Sequence, residues 1–429
     1  MNAPDAFPEE LGEEPPREEH VPPCVALVLA GGGARGAYEV GVLRYVLEEL
    51  PKRLGRDTPI RILCGTSVGA INACLLAAYA DQPRMRARLL VDRWRALQVE
   101  HILKPDPLEL VTLMRELIGV APKPILGKEP RGGLIDPVGI RQVLTDAIPF
   151  NRIDEHVLSG RLLATSVSTT HVGTGRTVVF VQHHAGHIPR WGTHPTMIAR
   201  HAELRLEHAL ASAAIPFVFP AVTIDGDLYC DGGLRQNVPL SPARRLGADR
   251  LLVINPHYVE ANAPDPVLEK EREAAFAGPA FLLGKTLNAL LLDRLDGDVE
   301  RLSRINEFLA AGTREYGAGF VSAINRQLGV PEGMPGLRSL KTIVIRASQD
   351  IGLLCGDFVR GPAFARSRKG LTGRALRRLA KSEGMEEADL LSYLLFDGEF
   401  AGEIMALGES DARARSDELC ELFEPALRL

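Results

Sequence analysis

RILCGTSVGAINACLLAAYA, residues 61–80, is the stretch that decides the fold. RILC has strand character, AINACLLAAYA has helical character, and Gly65-Thr66-Ser67-Val68-Gly69 joins them. Gly65, Ser67 and Gly69 satisfy GxSxG between a strand and a helix, the pattern of a nucleophile elbow. Its glycines permit a tight, strained turn that lifts Ser67 clear of the backbone. The helix that follows aims free N–H groups and the positive end of its dipole at the serine, where negative charge would develop. A plain glycine-rich turn has the same letters, so the flanking strand and helix carry the reading.

Toward the N-terminus the same architecture recurs. CVALVLA (24–30) is a short continuous apolar run of the kind that makes a buried parallel strand. Gly31-Gly32-Gly33-Ala34-Arg35-Gly36 ends it, and AYEVGVLRYVLEEL follows as a helix with apolar Val40, Leu43, Val46, Leu47 and Leu50. Strand, glycine turn and helix thus occur twice within sixty residues, which predicts an α/β sheet with helices on both faces. Gly31, Gly33 and Gly36 also fit GxGxxG, but the next strand ends in Cys64-Gly65-Thr66 rather than in an acidic residue, and no GK[ST] follows. Three successive glycines are better used as a bare loop whose backbone N–H groups stabilise an oxyanion beside Ser67. Arg35 is placed to orient that loop or to meet a phosphate, with a structural ion pair as the alternative.

A nucleophilic serine needs a base. LYC leads into Asp231-Gly232-Gly233, where the glycines leave a carboxylate room beside a neighbouring turn. Aspartate is a weak base in water, with a pKa near ~3.9, so proton abstraction requires desolvation or a transition-state hydrogen bond. An Asx-type turn is the other use of Asp-Gly-Gly.

GGGARG, GTSVG and DGG, in this order and each at a strand end, resemble the patatin-like phospholipase family. ASAAIPFVFPAV before the aspartate motif, the TGR-containing strand pair near residue 175 and SYLLFDGEF agree with it. The resemblance runs from about Cys24 to Arg415. It implies a three-layer α/β/α fold with a mostly parallel sheet and a Ser–Asp dyad that cleaves acyl esters of lipids through an acyl-serine. Ser67 would be the nucleophile, Asp231 the base, and Gly31, Gly32 and Gly33 with Arg35 the oxyanion region. Gly36, Gly65, Gly69, Gly232 and Gly233 complete the motifs. The expected substrate is a phospholipid or other acyl-ester lipid, with no cofactor and no metal. Hydrolysis and acyl transfer both remain open.

Further strands are expected at RLLATSVS (161–168), RTVVFV (176–181), within FVFPAVTI, at RLLVIN (250–255) and at KTIVIRA (341–347). Residues 104–135 read as broken helix, an insertion or lid, and 266–328 as helical. GRALRRLAKS and EEADLLSYLLFDGEFAGEIMAL read as two closing helices. The expected organisation is an acidic, proline-rich disordered tail (1–23), a catalytic core (24–256) and a helical extension with one more strand (257–429) packed on it. The tail holds seven acidic residues, one arginine and six prolines, the opposite of a signal peptide. The longest uncharged stretch, Ile62–Ala80, contains Thr66, Ser67, Gly69 and Asn72 and is not expected to span a membrane.

Composition narrows the function classes. Hydrophobic residues make up 45% of the 429 and charged residues 24%, which excludes a mostly disordered chain. A net charge of -5 with 5% aromatics argues against a general nucleic-acid binder. Cys24, Cys64, Cys74, Cys230, Cys355 and Cys420 lie far apart with no CxxC pair, which fits reduced thiols and a cytoplasmic protein. Eight basic and no acidic residues between Arg360 and Lys381 predict peripheral contact with anionic lipid at the inner membrane face. A helix face neutralised by Glu383–Asp389 is the alternative there. Phe281–Leu295 (FLLGKTLNALLLDRL) is apolar enough to touch lipid, or to pack on the core.

Three rival readings compete with the Ser–Asp dyad. An α/β-hydrolase triad would use His257, the only histidine after Asp231, but that fold places strands before its elbow. Eight of eleven histidines fall between His156 and His208, including His183, His184 and His187, yet HHxxH lacks the HExxH glutamate, so a polar loop is favoured over a metal site. A non-catalytic lipid-binding protein on a hydrolase fold is the reading from another class. Intact Ser67, Asp231 and glycine loop count against it.

Overall fold

The computed structural model describes residues 23–105, 132–189, 191, 195–259, 270, 295–331, 336–362, 364 and 388–427. The N-terminal tail through residue 22, the insertion at 106–131, the apolar stretch at 281–294 and the basic block between residues 365 and 387 lie outside them.

One mixed sheet organises the chain. Its strands are β1 (Val25–Leu29), β2 (Ile60–Thr66), β3 (Ala164–His171), β4 (Thr177–His183), β5 (Met197–His201), β6 (Val222–Ile224), β7 (Asp227–Asp231), β8 (Arg250–Asn255) and β9 (Lys341–Arg346). They are ordered β9-β8-β1-β2-β3-β4-β5, and the β6–β7 hairpin joins through β7 to β3. From β9 to β3 every pairing is parallel; β4 and β7 run antiparallel to β3.

The unbroken apolar run of β1 follows from its place in that sheet. Val25, Leu27 and Leu29 face one buried cluster, Ala26 and Val28 another, because both faces are covered. The first face carries α1 (Gly36–Arg44), α2 (Val68–Ala78), α3 (Pro83–Arg95), α4 (Val138–Ala147), α5 (Asn151–Leu158) and α6 (Leu206–Ser212). The second carries α7 (Leu240–Arg245) and the start of α8 (Leu295–Tyr316), whose Leu240, Ala243 and Leu295 are buried against Ala26 and Val28. The result is a three-layer α/β/α architecture.

After α9 (Phe320–Gln327) and β9, the chain returns to the first face as α10 (Ile351–Arg360), α11 (Asp389–Leu394), α12 (Gly398–Ala414) and α13 (Ser416–Leu427). α12 lies on α1 at close range: a Cβ on Gly41 would strike the Met405 carbonyl, and one on Gly408 the Tyr38 carbonyl. β9 extends the main sheet beside β8.

The structure departs from the sequence reading in several places, among them β5 and α13, which it did not anticipate. β3 runs on to His171. Of FVFPAVTI only Val222–Ile224 is strand. Lys104, Pro105 and Ile135, at the two ends of the stretch expected as broken helix, form with Asp136 a two-residue antiparallel ladder. The helix expected over EEADLLSYLLFDGEFAGEIMAL is two, because Asp397 starts a new one by accepting the N–H groups of Glu399 and Phe400.

Candidate active site

Sheet register brings the serine and aspartate together. Thr66, at the end of β2, stands opposite Ser168 of β3, and Asp231, at the end of β7, stands opposite Thr169. β2 and β7 therefore share one edge of β3, approaching from opposite directions. Ser67 leaves β2 at the point where Asp231 arrives.

Ser67 is held at φ 53° and ψ −127°, a left-handed conformation that is costly for a residue with a Cβ. The turn closes because Gly65 packs on the backbone of Gly69 and Ala70, and Gly69 on the carbonyls of Leu29 and Ala30. The Ser67 backbone N–H donates to Ser212 Oγ at 2.8 Å, and that hydroxyl donates to the Ser168 carbonyl at 2.6 Å. The Ser67 hydroxyl donates to Asp231 Oδ2 at 2.6 Å. Gly233 N–H donates to Asp231 Oδ1 at 2.7 Å, so each carboxylate oxygen accepts one hydrogen bond.

Asp231 is 1% exposed. Burial pushes its pKa up from 3.8 to about 7, against the smaller lowering effects of the Ser67 and Gly233 hydrogen bonds. A carboxylate poised there is matched to proton transfer near neutral pH.

The glycine loop lies beside the serine: a Cβ on Gly31 would sit 3.1 Å from Ser67 Cβ and collide with the Asn237 side chain. Gly31 N–H is already given to the Asn237 carbonyl at 3.1 Å, and Asn237 Nδ2 donates to the Gly31 carbonyl at 3.3 Å. Gly32 and Gly33 N–H have no acceptor among the described residues. Gly33 adopts φ +54° with its Cα against the Tyr393 carbonyl, so both backbone and space require glycine.

Arg35 turns away from the serine. Its Nη2 donates to Asp389 Oδ1 and its Nε to Ser392 Oγ, each at 2.8 Å, and the guanidinium lies 4.1 Å from the Tyr393 ring centre. Burial alone would lower its pKa; Tyr393, Asp389 and Asp350 outweigh that and raise it. Of the alternatives for Arg35, the structure contains the ion pair, which fastens the glycine loop to α11.

His257 has no hydrogen bond to Asp231. Its backbone N–H donates to Asn255 Oδ1 at 3.2 Å. Burial, then Arg35 and Arg346, lower its ring pKa. In the histidine-rich segment, His184 Nδ1 lies 2.9 Å from the Val157 carbonyl, and His183 Nδ1 accepts the Ala185 N–H at 3.1 Å. Among the described residues no group of three or more His, Cys, Asp or Glu is arranged to hold a metal, and no helix is long and apolar enough to cross a membrane.

Ser212 and Asn237 are site residues that motif reading missed. So is a buried network behind the glycine loop, in which Asn72 Nδ2 donates to Glu39 Oε2 at 2.9 Å and Asn72 Oδ1 accepts from Trp94 Nε1 at 3.1 Å. Burial pushes the Glu39 carboxyl well above its ordinary range.

Comparison with known proteins agrees with this geometry. The family described as patatin-like phospholipase matches residues 27–244, just over half of the chain. A cGAMP-activated phospholipase of Pseudomonas aeruginosa is 29% identical over 221 residues, 51% of this chain and 55% of that protein. Lysophospholipase nte1 of Aspergillus terreus is 26% identical over 56% of this chain and 12% of its own length. Patatin-like phospholipase domain-containing protein 7 of Mus musculus is 24% identical over 54% and 13%. The chain thus spans about half of the first relative and about an eighth of the other two. With the family match running from β1 through α7, across the glycine loop, the elbow and the aspartate turn, the chain belongs to the patatin-like phospholipase family.

Proposed function

We propose that the chain is a lipid acyl hydrolase that cleaves carboxylic esters of phospholipids or lysophospholipids through a Ser67–Asp231 dyad. The observation that carries this reading is the 2.6 Å hydrogen bond from a strained, buried serine to an aspartate that burial has made basic. Asp231 takes the Ser67 proton as Oγ attacks the ester carbonyl. The N–H groups of Gly32 and Gly33 meet the tetrahedral oxyanion, with the positive end of α2 behind Ser67. Gly31, whose N–H is committed to Asn237, shapes the loop, and Arg35 anchors it. The protonated Asp231 then returns its proton to the leaving alkoxide, which departs as alcohol or lysolipid and leaves an acyl-serine. Water, deprotonated by the same aspartate, releases the fatty acid and regenerates Ser67.

The names of the relatives, phospholipase and lysophospholipase, support a phospholipid ester as substrate. Intact-mass and peptide mass spectrometry after a fluorophosphonate probe tests the nucleophile. A single adduct on the Ser67 peptide, absent in Ser67→Ala, is expected; labelling elsewhere or none would contradict the reading. Fatty-acid release from phosphatidylcholine vesicles, measured with and without cGAMP because one relative's name records that activator, tests the substrate. No release under either condition, with the probe reaction intact, would point to a different ester.

A further inference from the structure

A groove of about 500 Å³ runs past the hairpin that carries Asp231, lined in part by Pro137, Ile140, Leu210, Ala214, Phe219 and Leu228. Ala214, in its wall, accepts the Asp231 backbone N–H at 2.9 Å, so the groove is one hydrogen bond from the base.

Its surroundings are apolar and exposed. Phe217 is 69% exposed, Val138 58% and Leu228 47%, and they come from three separate segments: the 215–220 loop, the start of α4, and β7. Single exposed apolar residues are ordinary. Leu228 lines the groove, and Val138 and Phe217 follow or precede its lining residues Pro137 and Phe219 closely in the chain; three such residues around one groove call for a partner.

Phe217 is the most informative. It adopts φ +66°, and only Ser67 and Asp225 share a positive φ among the described non-glycine residues. A bulky side chain there is unfavourable, and the conformation persists only because its surroundings impose it. Here Leu134 N–H donates to the Phe217 carbonyl at 3.0 Å and Ile135 N–H to the Val218 carbonyl at 2.9 Å. Val218 and Phe219 N–H both donate back to the Ile215 carbonyl, at 3.1 and 2.9 Å. The loop is fastened in a shape that buries Phe219, at 5% exposure, and holds Phe217 out in solvent. A ring so exposed adds little to folding stability. Polar groups lie nearby: Arg141 and Glu207, both lining the groove, pair at 3.3 Å while remaining nearly half exposed.

We propose that Phe217, with Val138 and Leu228, forms an insertion face that enters the hydrocarbon edge of a phospholipid bilayer and brings the groove beside Asp231 against the lipid surface. This rests on the lipid-ester reading above and adds where the membrane is met. Apolar side chains would reach the acyl boundary, and the Arg141–Glu207 pair would sit at headgroup depth.

The test uses the full chain and vesicles of neutral phosphatidylcholine, so that binding does not depend on anionic lipid. Phe217→Ser is expected to lower vesicle affinity at least about ten-fold, with turnover of a soluble p-nitrophenyl ester unchanged. Phe217→Gly, which removes the left-handed strain, is expected to keep or raise the melting temperature while losing vesicle binding to the same degree. Phe217→Trp is expected to bind as wild type does and to show a blue-shifted emission quenched by bromine-labelled acyl chains, beyond the signal of the two native tryptophans. Equal vesicle affinity in wild type and Phe217→Ser, absence of quenching in Phe217→Trp, or a wild-type dimer that Phe217→Ser converts to monomer would each overturn the proposal. Wild type inactive on the soluble ester would instead sink the hydrolase reading, while vesicle binding is read independently of it.

Discussion

Asp231→Asn should remove activity and raise stability at the same time. In the native protein the buried carboxyl holds its proton up to about pH 7, whereas an ordinary aspartate releases it near 3.8. Between those values the unfolded chain binds fewer protons than the native one, so stability falls as pH rises through the window. Each pH unit is worth about 1.4 kcal/mol, so the gap from 3.8 to about 7 amounts to roughly 4 kcal/mol at pH 8. Asparagine carries no such penalty. Its Oδ1 can still accept the Gly233 N–H, and its Nδ2 can donate to Ser67 Oγ, so the two bonds seen for Asp231 have neutral counterparts. Urea unfolding of both proteins at pH 4.5 and pH 8, beside ester turnover, is the assay. Asp231→Asn should unfold at clearly higher urea than wild type at pH 8, with the difference shrinking toward pH 4.5, and should lose at least about 10³-fold in kcat/KM. A variant equally or less stable than wild type at pH 8 would refute the reasoning.

Other expectations follow from the same geometry. The kcat/KM of wild type should rise with pH through a single ionisation near 7 and then level, because the base must be ionised; an acid limb near pH 4 would show that Asp231 is not held as described. Ser212→Ala strips the acceptor from the buried Ser67 N–H and the donor from the Ser168 carbonyl. It should cost about 2 kcal/mol or more in urea unfolding and lower kcat more than it alters KM. Arg35→Leu breaks one side of the buried pair with Asp389 and should destabilise by about 3–5 kcal/mol. A stability loss there below about 1 kcal/mol, the range of surface pairs, would show that the pair does not anchor the glycine loop.

What the sequence made legible was local. GTSVG and GGGARG announce themselves because tight turns between strand and helix need glycine, and an unbroken apolar run such as Val25–Leu29 signals a strand covered on both faces. Asp231 was readable because its own turn carries two glycines. Ser212 was not, since its role depends on β3 placing the Ser168 carbonyl beside an elbow 145 residues away in sequence. Asn237 likewise acts on a glycine 206 residues earlier. Arg35 shows the limit of motif reading: its neighbours in sequence point to an oxyanion, while its partners in space, Asp389 and Ser392, lie more than 350 residues on. β5 escaped notice because Met197–His201 is a short strand, half-buried to exposed, whose composition carries no strong alternation. The break between α11 and α12 had a readable signal in Asp397-Gly398-Glu399, an N-cap followed by a helix start, which the surrounding apolar periodicity concealed.

The central claim is that a serine and an aspartate suffice for the chemistry. Ester turnover by Ser67→Ala, Asp231→Asn and His257→Ala, each verified as folded by circular dichroism, tests it most directly. The geometry predicts that the first two lose activity and His257→Ala keeps turnover comparable to wild type, since the Asp231 carboxylate bonds Ser67 and Gly233 while His257 bonds Asn255. A folded His257→Ala as inactive as Ser67→Ala would contradict the dyad and return the triad.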